Sequence, residues 1–139
     1  LAASERRDGF LAAGGGEVVE AVFAGARLLG PDRPTGVVAW SDDAALDLLD
    51  RLPDLGLRCP DDVSIVGFDS LSPAARAMPG LTSVAQPIVE IARAGVETLV
   101  EVIADRAAPS RRFAVRLDVR GSTAPFSSLP HLSNDGTSS

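Results

Sequence analysis

A chain of 139 residues is long enough for one domain with its own core and short for two, and an apolar fraction of 45% excludes a wholly disordered chain. A net charge of −6, with all 13 basic residues arginine, argues against a broad phosphate-binding surface. A single cysteine, Cys59, excludes an internal disulfide and a multi-cysteine metal site.

Along the chain the hydrophobic period alternates between helical and strand values, which predicts α/β architecture. Residues 4–13 read as the end of a helix, Gly14-Gly15-Gly16 interrupt it, and residues 17–29 resume with helical spacing. Residues 31–34 (PDRP) form a turn, and 35–40 (TGVVAW) read as a buried strand. Ser41-Asp42 are placed to cap the helix 44–52, because a short oxygen-bearing side chain satisfies free N–H groups of a first turn. Residues 63–68 (VSIVGF) make a second strand, 70–80 a loop of small residues, and 81–86 (LTSVAQ) a short extended piece. Pro87 suits the first turn of the amphipathic helix 88–106, and 113–123 (FAVRLDVRGST) alternates as a last strand. Residues 126–139 hold little to bury and are expected to be a disordered tail.

Chemistry-bearing residues are few. Cys59 before Pro60 reads as a small apolar residue, and His131 lies in the polar tail. Asp61-Asp62 stand before a strand and read as a turn. There is no phosphate-binding glycine loop, nucleophile elbow or metal-ligand cluster, so an enzyme is not expected, nor a cofactor. No run approaches the roughly 18 apolar residues of a membrane span, and no signal peptide is visible at the first residues.

Four stretches in order, ASERRDGF, then SDDAALDLLDRLPDLGLRCPDDVSIVGFDS, LTSVAQPIVEIARAGVETLVEVI and VRGST, resemble the C-terminal part of the effector-binding region of lac/gal repressor-type regulators. The resemblance covers most of residues 2–125. It implies a three-layer α/β/α fold with a mostly parallel sheet, part of a two-lobed periplasmic-binding-protein-like clamp. Residues 1–125 would be mainly the C-lobe, lacking most of the N-lobe and the preceding helix-turn-helix, with a loop, strand and loop missing between Ala13 and Gly14.

The resemblance also implies a site. Asp69 would lie at the carboxyl end of a parallel strand, where open α/β sheets bind ligands; otherwise it only ends the strand and caps the next turn. Arg6, three residues before Gly9-Phe10, would supply a planar fork of donors; otherwise it is a solvated helix arginine, as Arg7 is. Ser41 stands where many relatives carry Asn, a shorter polar arm, and Asp42 reads as a helix cap rather than a ligand. Trp40 either stacks on a ligand ring or joins the core. Gln86 falls at the hinge between lobes, and Ile88 where an apolar cleft residue is expected.

The function implied is that of the ligand-sensing, dimerising domain of a cytoplasmic DNA-binding regulator. Its effector would be a sugar or a nucleobase-like molecule, its DNA contact would come only through the absent helix-turn-helix, and no membrane partner is expected. A solute-binding protein of a transport system shares the clamp and is the alternative. The helix 88–106 is expected to expose an apolar face that the missing lobe would cover.

Overall fold

The computed structural model describes residues 2–14, 28–30, 33–108 and 110–125. The predicted helix 17–29 and the tail 126–139 lie outside the described residues, apart from 28 and 29. Four strands, β1 (Gly36–Val38), β2 (Ser64–Asp69), β3 (Thr82–Ala85) and β4 (Arg116–Asp118), form one sheet in the order β1-β2-β3-β4. β1, β2 and β3 run parallel, in the register Val38↔Val66 and Asp69↔Ala85, and β4 is antiparallel to β3. The expected α/β class and mostly parallel sheet are therefore present.

The strand β2 explains how the core is placed. Alternate side chains of a strand face opposite sides, and here Ile65 and Gly67 are buried. The helix Asp42–Arg51 packs on that side, contributing Ala45, Leu48 and Leu49, while Val63, Ala74, Leu81, Leu28 and Leu52 complete the cluster. Gly67 is needed there for space: a Cβ would collide with Asp42 Oδ1 and come within 2.9 Å of Leu81 Cδ2. On the opposite face Phe68 receives the guanidinium of Arg6, 4.5 Å from its ring centroid, from the helix Ala2–Ala12.

Several local expectations are corrected. The strand 35–40 is shorter and only partly buried: Val37 and Ala39 pack against the core, while Val38 and Trp40 are exposed. The loop 70–80 contains a short helix, Ser72–Arg76. Pro87 occupies the N-cap position just outside the helix Ile88–Ile103, which ends before Asp105, a residue with φ 54°. The last strand spans three residues, not eleven. Beyond it Ser122, fully buried, replaces a regular ladder: its Oγ donates to Ile65 O at 2.6 Å and accepts from Thr82 N at 2.8 Å, while its carbonyl accepts from Ile65 N. A hydroxyl bridging β2 and β3 satisfies backbone groups that a straight β4 would leave unpaired.

Before β2, the turn ending at Asp62 is held by a buried carboxylate rather than by simple turn propensity. Asp62 Oδ2 accepts from Arg58 N at 2.9 Å, and Asp62 pairs with Arg33 at 3.5 Å. Burial raises its proton affinity, but the Arg58 N–H and the charges of Arg58 and Arg33 outweigh that, so its pKa falls below the ordinary carboxylate value. Cys59 donates to Ser122 O at 3.3 Å, and burial pushes its thiol up to about 11. Among the described residues no helix is long and apolar enough to cross a membrane.

Candidate functional site

Because β1, β2 and β3 are adjacent and parallel, their carboxyl ends share one edge of the sheet. That edge carries Trp40 and Ser41 after β1, Asp69 and Ser70 at the end of β2, and Gln86 and Ile88 after β3. Open parallel sheets offer their crevice at such an edge.

Asp69 is the most unusual residue there. It adopts φ 116° and Ser70 follows with φ 54°, two consecutive non-glycine residues in the left-handed half of conformational space. Each such residue costs about 1–3 kcal/mol, and this conformation persists only where its surroundings determine it. Asp69 Oδ1 accepts a hydrogen bond from Gln86 Nε2 at 2.6 Å, joining the expected ligand carboxylate to the expected hinge residue. Asp69 does not cap the next turn: the N-cap of Ser72–Arg76 is Leu71, and Leu71 N donates instead to Asp42 Oδ2 at 2.7 Å.

Asp42 therefore has a different role from the cap expected of it. Ser41 Oγ accepts from Ala44 N at 3.2 Å and is the N-cap of its helix. With that position filled, the Asp42 carboxylate, 1% exposed, points across the sheet edge to Leu71 N and to the hydroxyl of Ser83, which donates to Oδ1. Ser41 lies on the edge but spends its hydroxyl on the helix.

The structure seats Arg6 on the ring of Phe68, the residue before Asp69 in β2. A buried Nε of Arg6 has no hydrogen-bond partner among the described residues, and its guanidinium rests on the Phe68 ring. Trp40 is 63% exposed, which removes the core alternative for it, and Ile88 is 55% exposed. The edge thus combines a carboxylate acceptor, a guanidinium donor and exposed apolar surface, a set able to take a small molecule bearing hydroxyls on a ring. No group of three or more His, Cys, Asp or Glu placed to hold a metal occurs among the described residues.

Reasoning from sequence missed a second set of residues behind this edge. Ser70 Oγ donates to Asp118 Oδ2 at 2.6 Å, and Arg120 Nη2 donates to Ser70 Oγ at 2.9 Å and to Asp118 Oδ2 at 3.2 Å. The Ser70 hydrogen bond is the chief cause of the lowered pKa of Asp118; some burial opposes it, and Arg116 and Arg120 reinforce it. Their only sequence signal was that Arg120 and Ser122 lie in the VRGST motif.

A family model described as a periplasmic binding protein-like domain matches residues 3–123. The chain belongs to the periplasmic binding protein-like domain family. Within it, the relatives it resembles in sequence and in structure include LacI-type regulators. It is 43% identical over 103 residues to the HTH-type transcriptional regulator MalR of Streptomyces coelicolor, covering 73% of this chain and 30% of that protein. A LacI family regulator from Mycobacterium smegmatis superposes with a TM-score of 0.73 at 30% identity, covering 88% of this chain and 52% of the other. Another, from Enterococcus faecium with bound ribose, gives a TM-score of 0.65 at 34% identity, covering 76% and 39%. The chain spans between 25% and 30% of the length of the curated relatives it matches. For a periplasmic binding protein-like domain, the edge formed by Trp40, Asp69 and Gln86 lies where an open α/β sheet receives its ligand.

Proposed function

We propose that this chain is the effector-sensing part of a DNA-binding transcriptional regulator, and that its effector is a small polyhydroxylated molecule, a sugar. The observation that carries this reading is Asp69, held in a left-handed conformation at the carboxyl end of β2 with one oxygen on Gln86. Gln86 leaves Asp69 Oδ2 to a ligand, and a carboxylate oxygen accepts readily from a sugar hydroxyl. Arg6 supplies donors from the other side of Phe68, and Trp40 an exposed aromatic face. The ribose bound to the Enterococcus faecium relative supports the choice of a sugar. A nucleobase-like effector would use the same acceptor through a ring N–H.

In the intact regulator, effector would favour one arrangement of lobes and of a dimer, and so set how two DNA-reading heads meet an operator. Only the difference in effector affinity between the two arrangements can drive that shift. The Gln86–Asp69 bond makes the coupling concrete, because ligand at Asp69 acts directly on the segment that leads into the helix Ile88–Ile103.

The test is calorimetric titration of the full-length protein with D-ribose, lactose and adenine. One of the sugars should bind. Asp69→Ala and Arg6→Ala should each weaken it by about 1–3 kcal/mol, roughly 5- to 150-fold, because each leaves polar ligand atoms without a partner. Wild-type affinity in both variants would remove these residues from the site, and adenine binding alone would replace the sugar by a base.

A further inference from the structure

The corner at Asp69 and Ser70 raises a question of support. A strand that ends without constraint returns its residues to negative φ, because in L-residues the side chain crowds the backbone on the other side. Here two residues in succession do not return, at φ 116° and 54°. Asp69 is held through its side chain by Gln86 and pairs with Ala85 in the ladder, and the other ties fall on Ser70. Ser70 N donates to Ser83 Oγ at 3.0 Å, its hydroxyl donates to Asp118 Oδ2 at 2.6 Å, and the same hydroxyl accepts from Arg120 Nη2 at 2.9 Å. Arg120 is itself fixed, with Nη1 donating to Leu81 O at 2.6 Å and its backbone N to Thr82 Oγ1 at 2.9 Å. Thus β3, β4 and the residues after β4 all converge on one serine.

Asp118 and Arg120 are half-buried, and the hydroxyl of Ser70 uses both its donor and an acceptor position on them. A hydroxyl held both as donor and as acceptor fixes the rotamer and the backbone together. With Ser70 fixed, and Leu71 N fixed by Asp42, the residue just before them has little freedom, and the direction of the Asp69 carboxylate follows.

We propose that Ser70, Asp118 and Arg120 are positioning residues for Asp69, holding its backbone in the left-handed conformation that aims its carboxylate at a ligand. The importance of this for effector binding rests on the reading of Asp69 as a ligand contact. The conformational statement does not.

Isotope-labelled protein allows the two to be separated. The HN–Hα coupling at Asp69 distinguishes the left-handed backbone, which gives a small value, from an extended one, which gives a large value. Wild type should show the small coupling. Ser70→Ala and Asp118→Ala should move it toward the large value, whereas Asp118→Asn, which keeps an acceptor for the Ser70 hydroxyl, should stay near wild type. Ser70→Gly adopts φ 54° without steric cost, so it folds even if Ser70→Ala does not, and it too should release Asp69. In parallel, D-ribose affinity should fall on the order of tenfold in Ser70→Ala and Asp118→Ala, the scale of one lost hydrogen bond, and recover in Asp118→Asn. A wild-type coupling retained in Ser70→Ala, Asp118→Ala and Ser70→Gly would overturn the proposal. Undiminished ribose binding in Asp69→Ala would instead overturn the ligand role of Asp69, with the coupling still deciding whether the anchor exists.

Discussion

Two carboxylates of similar local sequence setting, Asp42 and Asp69, end in different environments for reasons that can be traced to single atoms. Asp42 follows a serine that already caps the helix, so its own oxygens are available for Leu71 and Ser83 across the sheet edge, and it is buried there. Asp69 ends a strand beside Gln86 and remains partly open. The space that the Asp42 carboxylate occupies is left open by Gly67. Gly67→Ala would press a methyl group into the Asp42 carboxylate and the Leu81 side chain, neither of which can retreat without losing a buried contact. We expect a loss of about 1–3 kcal/mol in a urea titration, the usual cost of overpacking. A midpoint equal to wild type would mean that Asp42 can swing away, and that its ties to Leu71 and Ser83 contribute little.

At the scale of elements, the helix Ile88–Ile103 contrasts with Asp42–Arg51. Both are amphipathic, yet the shorter one buries Ala45, Leu48 and Leu49 under β2, whereas Ala94 is the buried residue of the longer one. Val89, Val96, Leu99, Val100 and Ile103 remain exposed, together with Leu117 and Val119 at and after β4. The helix residues lie on one side of Ile88–Ile103 by their spacing, and an exposed apolar face marks an interaction site when it exceeds a few hundred Å². The isolated chain at tens of micromolar should therefore sediment above its monomer mass, and Val96→Glu with Leu99→Glu should return it to the monomer. A wild-type monomer with a cooperative melt would count against an unpartnered face. The short β4 belongs to the same scale: two-residue alternation predicted eleven strand residues, but the buried Ser122 hydroxyl claims β2 and β3 groups and ends the ladder early.

For the molecule as a whole, acid stability should reflect two paired carboxylates, Asp62 at the entrance to β2 and Asp118 behind the site. Both have pKa values lowered in the folded state. A lowered folded pKa stabilises above the unfolded value, near pH 3.9, and that stability is lost as pH falls through the folded pKa. Thermal melts should thus show little contribution from these groups to any change between pH 7 and 5, and a decline below about pH 4. Asp62→Asn should melt lower at pH 7 and lose less on acidification, because it no longer has a charge to neutralise. An unchanged acid slope in this variant would show that Arg33 and Arg58 do not act through Asp62. The single thiol should also react slowly at neutral pH, since burial keeps Cys59 protonated until the chain opens.

The sequence by itself determined the α/β class, the four strands and the principal helices, because hydrophobic period and turn chemistry are local properties of neighbouring residues. It also placed Asp69, Gln86, Trp40 and Ser41 at strand ends, and parallel pairing carries strand ends to a common edge. What only the tertiary structure decided is which partner each polar group takes. Ser70 is 48 residues from Asp118 in the chain and Asp42 is 41 from Ser83, and no local pattern records hydrogen bonds across such separations. The same holds for exposure. The residues of β1 read as buried because their apolar run suits burial, but burial requires a neighbour on each side, and a pattern along the chain does not say where that neighbour is.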